Sequence, residues 1–134
     1  HGAIERIRKG GYVLTDAVNP KAVIIGTGSE VALALEAQKL LAQEGVPVRV
    51  VSMPSTTVFD KQSAEYKSSV LPEGVPRIAV EAGVTDFWWK YRVDAVVGID
   101  TFGESAPAGV LFKHFGFTAD NVARTVKDAI ALRG

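Results

Sequence analysis

The sequence predicts an α/β fold, a three-layer α/β/α sandwich around a mostly parallel sheet. Three observations predict it. The run Lys21 to Gly26 is β-branched and apolar on both faces, as a central parallel strand covered by helices on two sides must be. Ser29 to Glu44 then places apolar residues at Val31, Leu35 and Leu41 and at Ala34, Ala37 and Leu40, a helical spacing. A second apolar strand, Val48 to Ser52, follows, which makes a βαβ unit, and the same alternation continues to the end of the chain.

Each element has its local signals. Gly11 to Leu14 is a short apolar run closed by Asp16 and the Asn19-Pro20 turn, and reads as an edge strand. The first helix has Ser29 as N-cap and Gly45 just past its end. Met53-Pro54-Ser55 ends the next strand. Asp60 to Ser69 reads as one short helix, capped by Asp60 with Phe59 packing back as a staple, and Leu71-Pro72 stops it. Arg77 to Glu81 is a third core strand, Thr85 caps a short aromatic helix, and Asp94 to Ile99 is a fourth strand. Ser105-Ala106-Pro107 opens a helix that Gly116 ends, and Thr118 caps a last helix through Ala131.

With 134 residues, 47% hydrophobic and 22% charged, the chain is one domain with enough apolar material for a core. Fifteen basic residues balance fifteen acidic ones, so the long-range positive field that nucleic acid or an anionic membrane requires is missing, and neither is expected as a partner. The apolar runs are far shorter than the roughly 20 residues that cross a bilayer. Without cysteine there is no disulfide framework or thiolate nucleophile, which fits a cytoplasmic location. Residues 1–10 are polar and basic, begin His-Gly, and read as a linker remnant leading into a domain at 11–134.

Several motifs carry candidate chemistry. Gly26, Thr27, Gly28 and Ser29 form a glycine turn from the central strand into a helix N-terminus, a candidate anion-binding site. The dinucleotide fingerprint would need glycine where Val31 stands, and a Walker loop would need Gly-Lys-Ser/Thr, so a structural turn with an N-cap competes with a phosphate cradle. Ser105 lies between strand and helix, but Pro107 replaces the second glycine of a nucleophile elbow, and His114 is about two and a half helical turns further on. Only two histidines occur, too few for a histidine-based metal site. Glu81, Asp86, Asp100 and Glu104 fall at or beyond strand ends, where α/β enzymes keep carboxylates; Glu81 would be partly buried and need a hydrogen-bonding partner. Phe87, Trp88, Trp89 and Tyr91 point all around one helix. With Phe59, Glu81 and Phe102 they suggest a contact patch, while Trp88 and Tyr91 alone also suit a core.

Set side by side, Gly26 to Val31 (Gly-Thr-Gly-Ser-Glu-Val), Arg49 to Pro54 (Arg-Val-Val-Ser-Met-Pro), Phe59 to Gln62 (Phe-Asp-Lys-Gln), Val70 to Pro72, Val80 to Gly83 and Thr101 to Pro107 (Thr-Phe-Gly-Glu-Ser-Ala-Pro) occur in the order found in transketolases. Trp89 to Tyr91 and Phe115 to Thr118 fall in place as well, so from about Ile4 the chain resembles the carboxyl-terminal domain of a bacterial transketolase. The link from Tyr91 to Ala95 is shorter than family members usually have.

The resemblance implies a five-stranded mixed sheet with one antiparallel edge strand, Gly11 to Leu14. It also implies a homodimeric parent enzyme that moves a two-carbon ketol unit from a ketose phosphate to an aldose phosphate, using thiamine diphosphate and a divalent metal, Mg or Ca. The family's cofactor motif, Gly-Asp-Gly with a distant Asn, is missing from the sequence. No catalytic, cofactor-binding or metal-binding residue carries over. The chain is expected to be inactive by itself and to support the dimer and the preceding domains; the alternative is a regulatory module binding an anionic effector at Gly26 to Ser29.

Overall fold

The computed structural model describes residues 7–28, 30–80, 92–97, 111–113 and 118–133. The strands are β1 (Tyr12–Thr15), β2 (Val23–Gly26), β3 (Arg49–Ser52), β4 (Arg77–Val80), β5 (Ala95–Val97) and β6 (Leu111–Lys113). The helices among the described residues are α1 (Glu30–Gln43), α2 (Thr56–Asp60), α3 (Ala64–Val70) and α4 (Ala119–Arg133).

The strands form one mixed sheet in the order β1-β3-β2-β4-β5-β6. Only β1 runs antiparallel, pairing Tyr12 with Ser52 and Val13 with Val51 on β3, with a register shift before Thr15. In the parallel part, Ile24 lies opposite Val50 on one side and Ile78 on the other. The fold class and the antiparallel edge strand are those expected.

The sheet has one strand more than the five anticipated. Leu111–Lys113 pairs with β5, where a helix ending at Gly116 was expected. A three-residue segment, Leu-Phe-Lys, carries no period of its own, and pairing with β5 decides its conformation.

Alternation along the strands builds two cores. Ile24, Val50, Ile78, Val80, Ala95 and Val97 face Ala34, Ala37 and Leu41 of α1 and Val122, Val126 and Ala129 of α4. Val23, Ile25, Val51, Ala79 and Val96 face the other way, onto Met53, Phe59, Val70 and Leu71. A strand buried on both faces must be apolar at consecutive positions, which is why Val23 to Gly26 shows no polar alternation.

The expected helix from Asp60 to Ser69 is two helices. Ser55 accepts a hydrogen bond from Val58 N–H and caps α2, and Ser63 accepts one from Tyr66 N–H and caps α3. Between them the backbone turns extended at Ser63, which breaks the helical ladder. Asp60 is therefore the last residue of α2 and not a cap, and Phe59 lies within that helix. The C-terminus of α1 closes with Val46 N–H on the Leu41 carbonyl and Gly45 N–H on that of Ala42. Thr118 caps α4 through a bond from Asn121 N–H, as expected.

Candidate functional site

Chain order places the glycine turn at a switch point. β2 leads through α1 to β3 on one side, and β3 leads back across to β4 on the other side of β2. In open α/β sheets, ligands lie beyond the carboxyl ends of the strands where the direction of winding reverses. Gly26, Thr27 and Gly28 lie at this point on the β2 side, and Glu81, which follows Val80 in the sequence, lies outside the described residues.

The turn's geometry is fixed by packing. A Cβ added to Gly26 would stand 3.3 Å from Val31 Cα, so the glycine lets α1 start directly against the strand. Gly28 has φ +54, in the left-handed region that glycine adopts without steric cost. Two of the first helical N–H groups are already used: Glu30 N–H donates to the Thr27 carbonyl at 3.0 Å and Val31 N–H to that of Gly28 at 3.3 Å. The first turn of α1 also carries an acidic residue, Glu30, which works against an anion at this helix end. These features favour the structural turn over the phosphate cradle at this position. Ser29 lies outside the described residues.

Beyond β3, the entering chain is locked down. Ser55 N–H donates to the Gly10 carbonyl at 2.9 Å, and Tyr66 Oη donates to that of Gly11 at 2.7 Å. The Lys9 ammonium sits 4.4 Å over the Tyr66 ring. Gly10 has φ +82, and a Cβ there would collide with Phe59 N and the Ser55 carbonyl oxygen. Half-exposed Ile7 and partly exposed Val58 leave apolar surface near this entry point.

Of the proposed contact-patch residues, Phe59 is only 1% exposed. It fills the second core and packs edge-on to Tyr66 with ring centroids 6.1 Å apart, so it is a core residue and not part of the expected contact patch. One apolar staple suits both a core and a surface, and the pattern alone could not separate them. Glu81, Phe87, Trp88, Trp89 and Phe102 lie outside the described residues, as do Asp86, Asp100, Glu104, Ser105 and His114.

The opposite end of the sheet holds polar clusters that sequence reasoning missed. Arg49 makes a two-pronged pair with Asp16, 2.9 and 3.1 Å, while its Nη1 donates to the carbonyls of Ser69 and Val70. The Arg49 side chain holds the Asp16 carboxyl below its usual range through this hydrogen bond, against an opposing effect of burial. Asp94 accepts from Arg77 N–H at 2.9 Å and pairs with Arg133 at 2.9 and 3.1 Å. Charged residues at strand starts were the available signal, but which pairs form depends on strand order.

The family described as Transketolase-like TK C-terminal domain matches residues 10–118. Transketolase 1 of Escherichia coli (strain K12) is 55% identical over 131 residues, which cover 95% of this chain but only 20% of that protein. The transketolase structure from Leishmania mexicana superposes with a TM-score of 0.82 at 47% identity, covering 96% of this chain and 19% of that one. A structure titled as the inactive β4 tetramer of a split-gene transketolase gives a TM-score of 0.61 at 25% identity, covering 95% of this chain and 43% of that one. The chain thus spans about a fifth of the length of the curated relatives it matches. Agreement in sequence along nearly its whole length, and in fold, means that the chain belongs to the family of transketolase-like C-terminal domains.

Proposed function

We propose that this chain is the non-catalytic carboxyl-terminal domain of a cytoplasmic transketolase. The parent would transfer a two-carbon ketol unit from a ketose phosphate to an aldose phosphate, with thiamine diphosphate and a divalent metal held by its preceding domains. This domain would support the homodimer and the joint with those domains. One observation carries the reading: 95% of the chain matches 20% of a transketolase, and that part lacks the Gly-Asp-Gly cofactor motif.

Among the described residues no three or more His, Cys, Asp or Glu side chains come together to hold a metal ion. The first turn of α1, the helix end nearest the switch point, is acidic. The clamped entry at Gly10 and the apolar Ile7 and Val58 near it support a docking role, because they fix the direction from which preceding domains would join. The split-gene relative whose β4 tetramer is titled inactive supports the division of labour.

The test has two arms. The 134-residue chain should show no ketol transfer in a coupled assay and no thiamine diphosphate binding by calorimetry with Mg²⁺ present. Substituted for the matching segment of E. coli transketolase, it should give a dimeric, active chimera. Micromolar cofactor binding by the chain, or a chimera that folds but stays monomeric, would overturn the proposal.

A further inference from the structure

The amino ends of β4 and β5 enclose a depression of about 360 Å³ lined by Glu73, Gly74, Val75, Arg77, Arg92 and Arg133. Three guanidinium groups line one small space in a chain whose formal charge is zero. Two are braced from behind. Arg77 Nη2 donates to the carbonyls of Leu71 and Pro72 at 2.8 and 3.2 Å, and Arg133 is held by its pair with Asp94.

The third is different. Among the described residues, the Arg92 guanidinium has no hydrogen-bonding or ion-pair partner, although it lies in the electrostatic reach of Arg77. Its backbone has φ +53, a left-handed conformation unusual for a side chain of this size. Burial is the main cause that lowers the pKa of Arg77; Asp94 and Glu73 oppose it, and the smaller repulsions from Arg133 and Arg92 add to it. Among the described residues, Asp94 and Glu73 stand against three arginines, one positive charge in excess, which a small anion would offset.

We propose that this depression binds a phosphate group, free or on a small monoester, between Arg77, Arg92 and Arg133. Guanidinium forks match oxyanions in geometry and bond them with charge-assisted hydrogen bonds. A tetrahedral phosphate offers oxygens in three directions to three converging donors, whereas a planar carboxylate serves two. Glu73 opposes binding and favours weak, adjustable affinity. The site lies at the amino ends of the strands, the opposite end from the glycine turn, and its binding is independent of the assembly role proposed above.

The experiment follows the arginine Nε–H signals of the 134-residue chain by NMR while inorganic phosphate or glycerol 3-phosphate is added at constant ionic strength. Saturable shifts at Arg92 below about 10 mM are expected with at least one of the two, and which one identifies the source. Arg92→Gly should weaken binding about tenfold, the loss of one charge-assisted contact, while its melting temperature stays the same or rises, because glycine accepts the positive φ. Glu73→Gln should tighten binding. No saturation with either ligand, an equal response to added chloride, or unchanged affinity in Arg92→Gly would overturn the proposal.

Discussion

Asp16 and Arg49 show how much one residue can organise. Asp16 directly follows β1, Arg49 begins β3, and their two-pronged pair ties the antiparallel edge to the parallel sheet while the same guanidinium holds the end of α3. The Asp16 side chain is 49% exposed, so solvent screens the pair, and its net contribution is below about 1 kcal/mol. The sign of its pH dependence follows from the lowered carboxyl. Stability is fully present above the unfolded value, about 3.9, and is lost as pH falls through the lower folded value. Urea unfolding of wild type and Asp16→Asn should differ by less than about 1 kcal/mol at pH 7, with the gap closing in strong acid. A gap that keeps its size at low pH would show that the variant lost packing instead of charge pairing.

At the scale of elements, the segment between β3 and β4 is the most instructive. Two serines, eight residues apart in number, each start a helix, and the chain between them turns extended at Ser63. Ser55→Ala and Ser63→Ala should each lower stability by about 1 kcal/mol, measured by thermal melting, since each leaves a helical N–H without its cap. If one continuous helix ran from Asp60, Ser63→Ala would be neutral. The placement of Phe59 depends on this break: it is one residue from the end of α2, which turns its ring into the core.

Most of the other elements could be read from local signals. The caps and periods that announced α1 and α4, and the β-branched runs that announced β2 to β5, are properties of short windows. Leu111–Lys113 was misread because a three-residue strand has no window large enough to show a period.

The whole molecule is a sheet shared by two cores. Leu41 belongs to the face under α1 and α4, and Phe59 to the face under α2 and α3. Leu41→Ala should cost about 2–5 kcal/mol and Phe59→Ala about 3–5 kcal/mol. Because both faces include β2 and β4, each variant should lower one common transition, with circular dichroism and tyrosine fluorescence changing together. Separate transitions for the two probes would mean that the faces unfold independently. α1 packs on α4, and Lys127 in the middle of α4 pairs with Glu44, just past the end of α1, at 2.7 Å, so the last helix is part of the first core and not an appendage.

Fold class, the two-sided burial of the central strands and the family were legible in residue patterns within short stretches and in the order of those stretches, and the antiparallel direction of the edge strand followed only from the family resemblance. The sequence also pointed to the glycine turn as a site where backbone shape matters. Three features appear only once the chain is folded: Phe59 is core, Leu111–Lys113 extends the sheet, and Arg77, Arg92 and Arg133 share one depression although 56 positions separate the first from the last. Long side chains from a strand start, a loop and a helix end meet only after strand order is fixed, and strand order is set by burial summed over the whole chain, which no local stretch contains.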